Sequence, residues 1–216
     1  MSEEPTTLRR IHEAGTEEFL RKGFQKASLR NIVKSAGVTT GAFYGYYKSK
    51  EQLFCALVAP AGRFMQEFKR VQNDFVLLSP EDQQKYLGNI SASWLLEMTD
   101  MVYDNAAAFR LALTCAEGTQ YAGYMDELVC VKVNATHTFI SMLRSQGKDI
   151  PNIDTDLEHL IVSGMFASYF EPILHGLPRS KAKNYVCQLY RFHAAGWSEL
   201  MGVPHIAGKD PFLGMI

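Results

Sequence analysis

The sequence has no apolar run long enough to cross a bilayer, which takes about 20 such residues in a helix. Its N-terminus, MSEEPTTLRR, has no apolar core of the kind a secretory leader carries, so no leader is expected. Cysteine is scarce: Cys55, Cys115, Cys130 and Cys187 lie far apart with no C-x-x-C. That spacing argues against a zinc knuckle or a disulfide framework and suits a reducing cytoplasm. No segment alternates apolar and polar residues between hairpin turns, so no strand is expected. Without a strand there is no place for a Gly-rich phosphate loop to follow one, and no G-x-S-x-G is present. The histidines are scattered. Glu171 and His175 lie one helical turn apart, and Asp154, Asp156 and His159 are neighbours, but neither group has a third fixed partner. Both read as caps and surface pairs. No catalytic residue, metal or cofactor is expected.

One further absence is local. From Phe19 to Lys50 there is no Asp or Glu, while Arg21, Lys22, Lys26, Arg30, Lys34, Lys48 and Lys50 are basic. Residues 1–50 hold nine Lys/Arg against five Asp/Glu, a net of +4, and the remainder carries a net of −5. A basic end on an acidic body is the charge pattern of a nucleic-acid-binding domain attached to a second one. The residues within that basic end agree. Leu29, Ile32, Val33 and Ala36 fall at helical spacing behind Ser28, which stands where an N-cap belongs. Gly37 ends this helix, Val38 plugs the corner, and Thr39 caps a second helix over about residues 40–46. Two short helices about a glycine turn, the second carrying Thr40, Gly41, Tyr44 and Tyr46, make a helix-turn-helix.

The stretch Ile11 to Leu53 resembles the DNA-binding domain of the TetR family of bacterial transcriptional repressors. The resemblance is carried by Ile11, Ala14 and Phe19, by Gly23-Phe24, by Ser28-Leu29-Arg30-Asn31-Ile32-Val33 and by Ala36-Gly37-Val38-Thr39. It continues through Ala42-Phe43-Tyr44-Gly45-Tyr46-Tyr47 and Lys48-Ser49-Lys50-Glu51-Gln52-Leu53. It implies that Arg30, Thr39, Thr40, Gly41 and Phe43 reach base edges of double-stranded operator DNA. It assigns Ser28, Tyr44, Tyr46 and Lys50 to phosphates. Gly41 stands where some relatives carry a longer side chain, and Gly45 and Tyr46 depart from the commonest residues there. Glu18 replaces a usual apolar residue and reads as an exposed position.

The rest of the chain reads as all-α, about nine helices in total. The expected division is residues 1–50, a three-helix DNA-binding domain, and residues 51–216, a larger helical ligand-binding and dimerisation domain. Ser49 and Gln52 fit a capping box at the start of a helix from Lys50 to about Asn73, which Pro60 should kink or break. Ser79-Pro80-Glu81 opens another helix, and Asn105 can cap a short one. Further helices are expected over about residues 121–146, 155–176 and 179–201.

The body is rich in Met and aromatic residues, which suit irregular apolar ligands between helices. The resemblance implies a small effector that weakens DNA binding, with Phe68, Trp94, Met98, Phe109, Tyr121, Met125, Phe166 and Tyr169 as candidate lining. Glu97, Asp100 and Glu117 read as facing solvent, so an apolar or amphipathic effector, neutral or weakly charged, is expected. Ile161, Gly164, Met165 and Ser168 can share one face of a late helix, and Tyr185, Leu189, Phe192 and Gly196 one face of the last. The resemblance favours these as a four-helix homodimer interface. The expected function is a ligand-responsive cytoplasmic repressor without enzymatic activity. The alternative is a helical small-molecule-binding protein or enzyme with a vestigial helix-turn-helix.

Overall fold

A computed structural model describes residues 6–79, 82–83 and 89–202. Among them the protein is helical throughout, without strands. The helices are α1 (Thr7–Lys26), α2 (Leu29–Ser35), α3 (Thr40–Tyr44), α4 (Lys50–Leu77), α5 (Asn89–Asp104), α6 (Ala106–Thr114), α7 (Tyr124–Ser145), α8 (Thr155–Leu174) and α9 (Arg179–Leu200). No helix of the described residues is long and apolar enough to cross a membrane. They form two compact units, Met1–Arg63 with Asn105–Tyr124, and Phe64–Asp104 with Met125–Ile216.

In the first unit α1 begins under Thr6, whose Oγ1 accepts the Arg9 N–H at 3.3 Å. The regular helix stops at Gly23, where φ is 72°. Phe24 then returns to the interior and packs edge-on against Phe54 at 5.2 Å, and Phe19 does the same at 5.1 Å. Ile11, Phe19, Ile32, Phe43, Leu53 and Phe54 have no exposed surface and form the core on which the short helices rest. The Phe24 N–H donates to Cys115 O at 2.9 Å, and the Tyr124 hydroxyl donates to Ala61 O at 2.9 Å. These bonds bring the segment around α6 into the same unit as α1.

Three local expectations are corrected. Helix α4 runs through Pro60 as one helix and reaches Leu77. Proline removes one N–H, but Val58, Ala61 and Phe64 around it are buried, and that packing holds the helix together. Ser28 and Asn105 occupy N-cap positions, yet neither side chain makes a capping bond. Ser79 does cap: its Oγ accepts the Asp82 N–H at 3.1 Å. Pro80, Glu81 and residues 84–88 of the helix expected there lie outside the described residues.

In the second unit an aromatic cluster joins α4, α5 and α8. Trp94 packs against Phe64 at 6.1 Å and Phe68 at 5.6 Å, and Phe166 meets Phe68 edge-on at 5.5 Å. A second cluster gathers Phe139, Ile140, Leu143, Ile150 and Met201. Between α5 and α9, Lys183 pairs with Asp100 at 2.6 Å, Arg179 pairs with Asp104, and the Tyr103 hydroxyl donates to Leu177 O at 2.9 Å. Asp154 caps α8 by accepting the Asp156 and Leu157 N–H groups. Glu171 Oε1 and His175 Nε2 lie 2.9 Å apart on the exposed surface of α8's last turn.

Candidate nucleic-acid interface

The turn between α2 and α3 is built from backbone bonds. The Val38 N–H donates to Val33 O at 3.2 Å and the Gly37 N–H to Lys34 O at 3.1 Å. This is the Schellman arrangement, which needs a left-handed residue after the helix; Gly37 supplies it with φ 61°. Arg10 of α1 takes two further carbonyls at this turn: its Nε donates to Ala36 O at 2.9 Å and its Nη2 to Gly37 O. Thr39 Oγ1 accepts the Ala42 N–H at 3.1 Å and starts α3.

The N-terminus of α2 is closed by Glu18 rather than by Ser28. The expectation that Glu18 is exposed is corrected: it is 5% exposed. Its Oε1 accepts the Ser28 N–H and Asn31 Nδ2, both at 3.2 Å, and Lys22 approaches at 3.3 Å. Arg21 holds the other oxygen. Burial pushes the carboxyl up, but the Ser28 N–H, Arg21, Asn31 and Lys22 outweigh it and bring it down to about 2. A negative charge at a helix N-terminus is also favoured by the helix dipole.

Behind α3, His12 Nε2 and the Tyr47 hydroxyl are 2.5 Å apart. Burial lowers the His12 imidazole below the usual histidine value and raises the Tyr47 phenol. Helix α4 opens with Ser49 Oγ accepting the Gln52 N–H at 3.1 Å. Gln52 Oε1 accepts the Lys48 N–H at 2.6 Å, one residue before the position a capping box uses.

The expected contact residues divide in three. Arg30, Thr39, Thr40 and Gly41 are exposed, and so are Tyr44 at 53% and Tyr46 at 48%. Ser28 is half-buried. Phe43 is corrected outright: it is fully buried beside Tyr47 and cannot reach a base edge. Lys50 is drawn inward. Its Nζ donates to Phe24 O at 2.7 Å, Ala27 O at 2.9 Å and Gln25 O at 3.2 Å, and lies 4.5 Å from the Phe24 ring centroid. An ammonium has three N–H donors, and these carbonyls engage all of them. Burial lowers its ammonium below the ordinary lysine value. Lysine 50 therefore closes the C-terminus of α1, in place of the free phosphate-gripping cation expected. Among the described residues, Lys26, Arg30, Lys34 and Lys48 are exposed without a carboxylate partner. They keep the face of α2 and α3 positive.

The profile described as bacterial regulatory proteins, tetR family, matches residues 11–57, the stretch that carries this geometry. Residues 11–57 are a TetR-type DNA-binding segment. With that segment the chain is a DNA-binding regulator. The uncharacterized HTH-type transcriptional regulator YdgC of Bacillus subtilis (strain 168) is 28% identical over 181 residues, 73% of this chain and 91% of that protein. YerO of the same organism, with the same description, is 31% identical over 79% of this chain and 65% of its own length. Among solved structures, a bacterial regulatory protein of the tetR family from Rhodococcus RHA1 has a TM-score of 0.51 at 19% identity, over 94% of this chain and all of that one. A gamma-butyrolactone receptor described as ArpA-like has a TM-score of 0.54 at 19% identity, over 88% and 87%. At these identities the structures share the TetR fold.

The eight residues expected to line an effector site divide between the two units. Phe68, Trp94, Phe166 and Tyr169 belong to the aromatic cluster of the second unit, where Phe64 links them. Tyr169 and Thr99 hydroxyls lie 3.3 Å apart. Met98 and Met125 are half-buried in the same unit. Phe109 and Tyr121 fall in the first unit, Phe109 in its core and the Tyr121 hydroxyl beside Gly62. The expected dimer residues lie on α8 and α9: Gly164, Tyr185, Phe192 and Gly196 are exposed, and Ile161, Met165, Ser168 and Leu189 half-buried. Sequence reasoning missed Arg10 and Glu18, whose roles depend on partners in another helix.

Proposed function

We propose that this regulator is a ligand-responsive repressor, a cytoplasmic homodimer without catalytic activity. Residues 1–50 read the operator, and residues 51–216 bind a small apolar or amphipathic effector and the second copy. The observation that carries this reading is the face of α2 and α3. It is basic and free of acids, and it presents Arg30, Thr39, Thr40, Gly41, Tyr44 and Tyr46 on a turn fixed from behind by Arg10 and Glu18. Arg30 and Thr40 have side chains suited to base edges, while Ser28, Tyr44 and Tyr46 suit phosphates. The aromatic cluster of the second unit supports the effector.

The test is selection of bound duplexes from a random DNA pool, followed by small-molecule challenge of the complex. An effector acts only through its preference for one protein state, and that coupling is reciprocal, typically about 1–3 kcal/mol. Operator DNA should weaken the effector by the same factor by which the effector weakens DNA. Equal effector affinity with and without operator would mean that the bound molecule is not the signal.

A further inference from the structure

Helix α3 has five residues, of which only Phe43 is buried. A helix that short does not hold its own shape in water, so its placement depends on what grips its two ends. At the N-terminal end the grip is the turn, closed by Gly37, Arg10 and the Thr39 cap. At the C-terminal end it is Tyr47. The Phe43 carbonyl accepts the Tyr46 N–H at 2.9 Å and the Tyr47 N–H at 3.0 Å. The Tyr47 ring lies 6.0 Å from that of Phe43, which packs edge-on against Tyr44 at 5.7 Å.

Tyr47 is itself tied to α1. His12 Nε2 lies 2.5 Å from its hydroxyl, and the two rings are 5.8 Å apart. Burial lowers the imidazole and raises the phenol, so both are uncharged at neutral pH and the pair is a neutral hydrogen bond. Without the hydroxyl the Tyr47 ring would still fill its place, and only this bond would be gone. Helix α1 thus reaches both ends of α3, through Arg10 before it and His12 after it.

What such a bond controls follows from the range of the forces at a DNA surface. A base-edge hydrogen bond needs its partners within about 2.7–3.2 Å, whereas attraction to phosphates decays over about 8–10 Å at ordinary salt. A small tilt of α3 therefore removes base contacts and leaves the phosphate attraction almost intact. Neither His12 nor Tyr47 carries a charge to add to that attraction.

We propose that His12 is a positioning residue for operator recognition: held to the Tyr47 hydroxyl, it fixes the C-terminal end of α3 and with it the side chains that meet base edges. The proposal rests on reading α3 as the recognition helix. It adds to the determinants of sequence choice a residue of α1 that acts through another side chain.

The experiment measures, at neutral pH, the affinity of the full chain for the selected operator and for a shuffled duplex of the same composition, with the melting temperature of each variant. The variants are Tyr47→Phe, His12→Leu, the two combined, and His12→Gln, whose amide stands where Nε2 does. Tyr47→Phe and His12→Leu should each lower the ratio of the two affinities by about three- to tenfold, the scale of one hydrogen bond. Affinity for the shuffled duplex should stay within about twofold, with an unchanged salt dependence. The double variant should lose no more than either single one, because both remove the same bond. His12→Gln should keep most of the preference. Equal losses on both duplexes with a lowered melting temperature overturn the proposal, since they mark a purely structural pair. A loss in His12→Gln as large as that in His12→Leu overturns it too. If the wild type prefers no duplex, the reading of α3 as the recognition helix falls and this inference with it. A wild-type preference that Tyr47→Phe and His12→Leu both retain refutes the inference alone.

Discussion

Glu18 lies in the interior of the reading unit and keeps its charge, because four donors converge on two oxygens. Its folded pKa of about 2 lies below the ordinary glutamate value of 4.5. The stabilisation is therefore fully present above pH 4.5 and is lost as the pH falls through about 2. The shift corresponds to about 3 kcal/mol at neutral pH. Glu18→Gln should lower the stability of the chain by that order at pH 7, and urea midpoints of variant and wild type should converge as the pH falls from 4.5 towards 2. Equal midpoints at pH 7 would show that the carboxylate is not what closes α2. Lys50 makes the opposite kind of cap, a cation on carbonyls at a C-terminus. Bonds from a charged donor contribute about 1.5–3 kcal/mol, so Lys50→Met should lower the urea midpoint measurably. With its donors engaged by Phe24, Gln25 and Ala27, the variant should leave the salt dependence of DNA binding unchanged. A slope reduced by about 0.9 would restore a phosphate contact to Lys50.

The turn joining α2 to α3 was the most legible element, because its chemistry is local. Gly37, Val38 and Thr39 declare it in three consecutive positions, and the backbone bonds of Val38 and Gly37 follow from one left-handed residue. Gly37→Ala puts a Cβ into that conformation, at a cost of about 1–2 kcal/mol. It should lower both thermal stability and DNA affinity, and an unchanged melting temperature would mean that the turn adopts another geometry. What the sequence concealed has physical reasons. The Ser28 N–H is closed by a carboxylate ten residues earlier, and no periodicity announces such a pairing. The pattern of α3 locates Phe43 but leaves its orientation open, and the core takes the ring. Pro60 looked like a break because one missing N–H is visible in sequence, whereas the buried packing of Val58, Ala61 and Phe64 is not. Aromatic composition pointed to the cluster of Phe68, Trp94, Phe166 and Tyr169, but could not separate it from Phe109, which fills the other unit's core.

At the scale of the molecule, α8 and α9 leave an apolar face uncovered. Leu160 is 68% exposed and Phe192 73%, with Leu157 and Tyr185 also exposed. A Cβ added at Gly164 or Gly196 would meet nothing within 4 Å, so both helices present open, shallow surface there. Isolated exposed apolar residues need no explanation, but apolar residues gathered on two helices that pack on each other suggest an interface. A second copy of this chain fits the function. A five-residue recognition helix can read only a few base pairs, and a two-fold pair reads two half-sites placed about one DNA turn apart. Such an interface is self-complementary, so one substitution strikes it twice. Phe192→Glu places two carboxylates in it without disturbing the chain's own core, since the side chain it replaces is exposed. In sedimentation at micromolar concentration the wild type should be a dimer and the variant a monomer of unchanged helix content. The monomer should keep its contact with one half-site and lose most of its affinity for an inverted repeat, because the second half-site is then no longer held at high effective concentration. A wild-type monomer under the same conditions would remove α8 and α9 as the dimer face, and with it the expectation of an inverted-repeat operator.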